Sequence, residues 1–142
     1  MKVSELRIEN LFYKIDRTQK VHMPIEVPMV VAEIGIPFVK FYPLGTPIEQ
    51  VTKYFDVELF SMTPIPLTEE WLLKANFYYS DDDNEFLEFP LLNGKLKLYA
   101  DNSNNFSTVT CRINGFEIVL DAIHILQNFV QSLTQTELTI NN

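Results

Sequence analysis

The rhythm of apolar and polar positions changes along the chain. Leu11-Phe12-Tyr13-Lys14-Ile15 predicts a strand, residues 16–19 a turn and residues 20–23 a return strand. Residues 27–34 are rich in β-branched side chains, and Pro28 among them predicts an edge strand or a strand start. Gly35 breaks that run, and residues 38–42 predict another strand. Thr46-Pro47-Ile48-Glu49 then has the form of a helix start. Thr46 is placed to cap, Pro47 suits the first helical position, and Glu49 can reach back to the Thr46 N–H. Ile48, Val51 and Phe55 would share one face of that helix, and residues 57–61 read as a strand leaving it.

Thr68 predicts a second N-cap, with Glu69 and Glu70 in the first turn favouring the helix dipole. This short helix, residues 69–76, has Trp71, Leu72 and Ala75 as its apolar stripe and Glu70–Lys74 as an exposed i, i+4 pair. Residues 85–92 are strand-like. Asn93-Gly94 predicts a two-residue hairpin turn, because both positions accept positive φ. Leu96, Leu98 and Ala100 alternate with Lys95, Lys97 and Tyr99, as in a half-buried strand. Residues 101–105 are a polar turn, 106–113 a strand, Asn114-Gly115 a second hairpin turn and 116–120 a further strand. Asp121 is placed to cap a terminal helix with Ile123, Leu126, Val130 and Leu133 on one side. The tail from residue 134 is polar and predicts fraying.

These elements define an α+β fold: an antiparallel meander sheet packed with a short central helix and a C-terminal helix, plus a proline-rich, β-containing N-terminal half. At 142 residues the chain suits a single domain with subregions 1–66 and 67–142. Seven of the eight prolines fall between Pro24 and Pro66, which marks the change of composition.

Composition removes several classes of function. Eleven Lys and Arg stand against nineteen Asp and Glu, net −8, so no basic footprint for duplex nucleic acid exists. An acidic surface favours basic partners. No apolar run reaches the roughly 20 residues of a spanning helix, and the N-terminus lacks a signal peptide, so a cytoplasmic protein without membrane contact is expected. The one cysteine, Cys111, lies in a strand pattern and reads as a small buried hydrophobe.

Candidate chemistry is sparse. P-loop, dinucleotide, GxSxG and HExxH motifs are absent, and no Cys or His pair has metal-site spacing. Asp81-Asp82-Asp83-Asn84-Glu85 lacks the sixth-position glycine of an EF-hand, where Phe86 stands, and reads as a solvated turn. The expectation is a non-enzyme with no cofactor. The dense aromatics, Phe77-Tyr78-Tyr79 and residues 38–42, could form a stacking platform but lack flanking cations and fit ordinary strands. The candidate binding set is the uncharged polar stripe His124, Gln127, Asn128 and Gln131, predicted on the helix side opposite the apolar one. Such a stripe either bonds neighbouring loops and water or meets a partner or ligand.

Three segments also resemble a known group. Leu6-Arg7-Ile8-Glu9-Asn10, residues 64–74 (Pro64-Ile65-Pro66-Leu67-Thr68-Glu69-Glu70-Trp71-Leu72-Leu73-Lys74) and His124-Ile125-Leu126-Gln127-Asn128, with Leu133-Thr134 and Glu137-Leu138, are similar to short proteins encoded in Bacteroidota genomes, phages and prophages. About a third of the chain carries the likeness. Glycine is usual in that group where Glu9 and Gln135 stand here, so a clean stop to the last helix is not expected. The resemblance implies a habitat and an architecture, and no catalytic residue. The resulting expectation is an accessory interaction protein of a phage or mobile element that contacts a host protein. A small-ligand or nucleotide-sequestering protein, drawing on Arg7, Arg17, Arg112, Lys95 and Lys97, and a minor virion component are the alternatives.

Overall fold

The computed structural model describes residues 2–18, 21, 23–51 and 54–141. Its architecture is α+β, with two five-stranded antiparallel sheets and two helices. The chain divides into two compact units, Met1–Ile65 and Pro66–Asn142.

The first unit holds β1 (Leu11–Asp16), β2 (Met23–Ile34), β3 (Phe38–Pro43), β4 (Phe55–Glu58) and β5 (Met62–Thr63), in the order β4-β3-β2-β1-β5. Phe12, Val31, Val39, Phe41, Val57 and Met62 form its core, and no α-helix occurs among its described residues. Two bulges shape the sheet. Tyr13 pairs with Pro28 but Lys14 with Ile25, so Glu26 and Val27 are extra. Val31 pairs with Phe41 but Glu33 with Lys40, so Ala32 is extra, which returns Ile34 to the core face with Val31. β2 is therefore an interior strand, contrary to the edge placement that Pro28 suggests. A bulge and the end of β3 pairing at Met29 spare the sheet the N–H that proline lacks. Between β2 and β3 the chain turns at Gly35, where an added Cβ would sit 2.9 Å from the Phe38 carbonyl oxygen.

The helix expected after Thr46 does not form. Only a single 3-10 turn, Ile48–Gln50, is present, and β4 has begun by Phe55, which pairs with Phe41. The Thr46 hydroxyl donates to the Pro43 carbonyl instead of capping (2.9 Å). Strand pairing captured Phe55, overriding a local start signal followed by residues of poor helix propensity; of the strand expected at 57–61, Val57 and Glu58 lie in β4 and Leu59–Ser61 form a 3-10 turn. The expected turn at 16–19 lies partly outside the described residues, as does half of the return strand at 20–23; within the turn, Asp16 Oδ1 accepts from the Thr18 N–H at 2.9 Å.

The second unit holds α1 (Glu69–Lys74), β6 (Tyr78–Tyr79), β7 (Phe86–Leu91), β8 (Leu96–Asp101), β9 (Val109–Ile113), β10 (Phe116–Leu120) and α2 (Ile123–Thr134), with sheet order β10-β9-β8-β7-β6. Thr68 caps α1 by accepting from the Trp71 N–H, and Trp71, Leu72 and Ala75 are buried. Alternation holds along the sheet: Leu87, Leu91, Leu98, Ala100, Val109 and Cys111 are buried on one face. The Tyr79 hydroxyl on that face donates to Glu69 of α1.

Four local readings need correction in this unit. The β7–β8 turn spans four residues, 92–95, because Leu91 pairs with Leu96; Leu92, Asn93 and Gly94 all have positive φ. β9 begins at Val109, not residue 106, since Asn105 and Phe106 take left-handed conformations. The N-cap of α2 is Ala122, without a side-chain cap, because Ala122 is held extended by a bridge to Pro66 one residue beyond Asp121. The helix stops cleanly despite the missing glycine: Gln135 itself adopts φ 59° and its N–H bonds the Gln131 carbonyl at 2.8 Å.

The tail is docked rather than frayed. Leu138 is buried, and the Asn141 N–H bonds the Lys74 carbonyl at 2.8 Å, satisfying an acceptor at the end of α1. Asn114-Gly115 does form the expected two-residue turn between Ile113 and Phe116, with φ of 50° and 80°.

Candidate functional site

α2 positions the polar stripe, and its burial differs from the pattern expected. His124 is 2% exposed and Gln127 3% exposed, while Asn128 and Gln131 are half-buried. Leu133, expected on the apolar side, is also only half-buried, as is Phe129. The helix is thus enclosed over most of its circumference, and the apolar and polar sides do not separate core from solvent. The stripe is one surface of a helix, but its first two members are inside the protein. An imidazole and an amide at these depths lie within the protein rather than on an exposed surface.

A cleft of about 240 Å³ opens at the other end of α2. Phe89, Leu91, Val130 and Leu138 supply apolar walls, and Asn76, Thr134, Thr136 and Glu137 supply polar ones. The docked tail builds one side of it, with the Thr134 and Thr136 hydroxyls 2.8 Å apart. None of the four stripe residues lines this cleft, and neither does any lysine or arginine. Sequence reasoning missed it because it depends on the tail returning to α1, a contact that a polar composition does not announce.

The five cations suggested for a ligand site do not converge there. Arg17 stacks on Phe60, 4.4 Å from the ring centre, and donates to Ser61 Oγ at 2.9 Å. Lys97 pairs with Glu88 at 3.3 Å, and Arg112 with Glu117 at 3.2 Å. Arg112 also lies over the Tyr99 ring. Arg7 belongs to the first unit, where its N–H donates to Asn10 Oδ1 at 2.7 Å, and Lys95 sits in the β7–β8 turn.

The acidic run from Asp81 is a turn whose own backbone occupies its carboxylate. Asp81 Oδ1 accepts from the Glu85 and Phe86 N–H groups at 3.2 and 3.3 Å. Among the described residues no cluster of three or more His, Cys, Asp or Glu is placed to hold a metal ion. Cys111 is fully buried in β9, and burial pushes its thiol pKa up, away from the thiolate that nucleophilic work requires. The hydrogen bond to Glu69, followed by burial, raises the Tyr79 pKa. The aromatic runs lie in β3 and β6, as ordinary strand residues do, with Phe77 buried just before β6.

Compared with known proteins, the chain matches no family model, no curated protein and no solved structure. The class that can be stated is that of its fold, α+β. Among the described residues no helix is long and apolar enough to cross a membrane.

Proposed function

We propose that this is a non-catalytic interaction protein whose second unit contacts a basic protein partner. The observation that carries this reading is the segregation of charge. Residues 66–142 hold four Lys and Arg against eleven Asp and Glu, net −7, whereas residues 1–65 hold seven against eight, net −1. Three of the four cations in the second unit are committed to neighbouring acids: Lys74 to Glu70, Lys97 to Glu88 and Arg112 to Glu117. Asp81, Asp82, Asp83 and Glu85 belong to none of those pairs and lie close together in sequence, Asp81 half-buried and the other three exposed. Such a field steers cationic partners and sets their on-rate. In the setting implied by the resemblance, a phage or mobile element, the partner would be a host protein.

The test is capture from host lysate by the intact chain and by a variant with Asp81, Asp82 and Asp83 changed to Asn. The expected result is a partner with a basic surface, captured by the natural chain, weakened by salt and by the variant. Equal capture by the variant, or by an unrelated acidic protein, overturns the reading.

The cleft favours a second reading, a small-ligand binder. Its volume is below the roughly 300–1,000 Å³ of ordinary ligand pockets, and its lining offers a carboxylate, hydroxyls and an amide without a cation. That chemistry suits a small neutral or cationic molecule better than a nucleotide. A thermal-shift screen separates the two, since ligand at 100 times Kd adds about 2.7 kcal/mol.

A further inference from the structure

Each sheet has two edges, and they are unequal. β5 and β6 are two residues long, and β4 places Asp56 and Glu58 among its four residues. β10 is five residues long, Phe116-Glu117-Ile118-Val119-Leu120, with one charge, no proline and no bulge against β9. Natural edges are ordinarily blunted by such devices. Here Phe116 is 76% exposed and Val119 55% exposed.

The backbone of β10 is directed by its turn. In a two-residue hairpin the flanking pair, Ile113 and Phe116, exchanges both hydrogen bonds, so Phe116, Ile118 and Leu120 bond β9. Glu117 and Val119 therefore aim their N–H and C=O groups outward. Among the described residues no backbone bond joins either to another element. The adjacent chain reaches only Ala122, through Pro66, and then enters α1 after Thr68.

We propose that β10 is a strand-addition site for an extended, basic peptide segment of the partner. The proposal rests on the basic-partner reading above and says where that partner docks. An incoming strand would exchange backbone bonds with Glu117 and Val119, which supply affinity irrespective of sequence. The residue opposite Glu117 is Lys or Arg, because that carboxylate, which meets Arg112 at 3.2 Å from the β9 side, stays half-exposed and Asp121 follows it on the exposed side. The residues opposite Ile118 and Val119 are apolar. Charge argues against a second copy as occupant, since that would bring one net −7 unit against another.

The test uses a short capped peptide of lysine, isoleucine and valine, its twin with glutamate for lysine, and a twin N-methylated at alternate residues. Amide NMR of the full chain is the readout. The lysine peptide is expected to shift and slow exchange at Glu117 and Val119. The N-methylated twin should bind at least about tenfold more weakly, and so should Val119→Pro, which removes an outward N–H while leaving the β9 bonds. Glu117→Lys should transfer preference to the glutamate peptide. Equal binding of the N-methylated peptide overturns strand addition even where Val119→Pro fails to fold, and so does a concentration-dependent dimer formed through β10. Shifts confined to residues 81–85 overturn the β10 site but leave the basic-partner reading standing. No shift with any lysine peptide sinks both.

Discussion

Residues 1–65 and 66–142 each make a five-stranded antiparallel sheet, and they make it in opposite ways. The first is nearly neutral, contains six of the eight prolines, and bends its sheet with two bulges. No α-helix is described in it, and its apolar side chains gather on the sheet itself. The second is strongly acidic, keeps a regular β7–β8–β9–β10 meander, and covers one face with helices. Bulges let a strand keep its apolar residues together when strict alternation fails, as at Val31 and Ile34. A regular meander needs none, and it leaves a straight edge. That is why the candidate docking edge belongs to the acidic unit.

The largest test of the comparison is core truncation in each unit. Phe12 and Leu98 are both fully buried. Phe12→Ala is expected to cost about 3–5 kcal/mol and Leu98→Ala about 2–5 kcal/mol. Urea melts followed by amide exchange would show which strands lose protection with each. A loss below about 1 kcal/mol at Phe12 would mean that the first unit's core is not the cluster described.

Next is the polar anchor of the first unit. Asn10 is fully buried, and its Oδ1 accepts from the Arg7 N–H at 2.7 Å while its own carbonyl accepts from the Val31 N–H at 2.9 Å. Asn10→Ala leaves the Arg7 donor without that acceptor and is expected to cost roughly 1–3 kcal/mol by chemical denaturation. Asn10→Asp, which keeps the acceptor, should recover part of it near neutral pH.

The same contrast governs what could be read in the amino-acid order. In the second unit the signals are local: Thr68 sits three residues before the N–H it caps, and Asn114-Gly115 supplies positive φ where the hairpin needs it. In the first unit the equivalent signal at Thr46 failed, because Phe55 and Val57 found partners in β3, a pairing set by the β2 bulge and by contacts remote in sequence. The burial of the helix face carrying His124 and Gln127 was not legible for a related reason. A wheel separates polar from apolar positions but does not count how many neighbours surround the helix. Burial of a His and a Gln is decided by tertiary packing, and the tail that builds the cleft returns over sixty residues to Lys74 and Asn76.

The two threonines turn that lesson into a measurement. Thr68→Ala should cost about 1 kcal/mol, since the Trp71 N–H loses its cap. Thr46→Ala should cost less, because the Pro43 carbonyl that its hydroxyl meets also accepts from the Thr46 N–H at 3.2 Å. A larger loss at Thr46 would restore the capped helix that local sequence suggests.

The smallest effect separates backbone strain from side-chain contact. Glu9 and Gln135 both hold positive φ, 72° and 59°, in a region that costs a non-glycine residue roughly 1 kcal/mol. Among the described residues the Gln135 side chain makes one exposed bond, to the Ser132 carbonyl at 3.3 Å, so Gln135→Gly relieves strain and loses little. Glycine's greater freedom in the unfolded chain offsets part of that relief, leaving an expected gain of about 0.5 kcal/mol, visible as a small rise in Tm. Glu9 is different: its N–H is tied to the Val31 carbonyl at 2.8 Å beside buried Asn10, and its carboxylate acts electrostatically on Tyr42. Glu9→Gly should therefore gain less than Gln135→Gly. If both substitutions gain equally, strain alone sets these positions, and the first unit's opening turn depends on its backbone rather than on the glutamate.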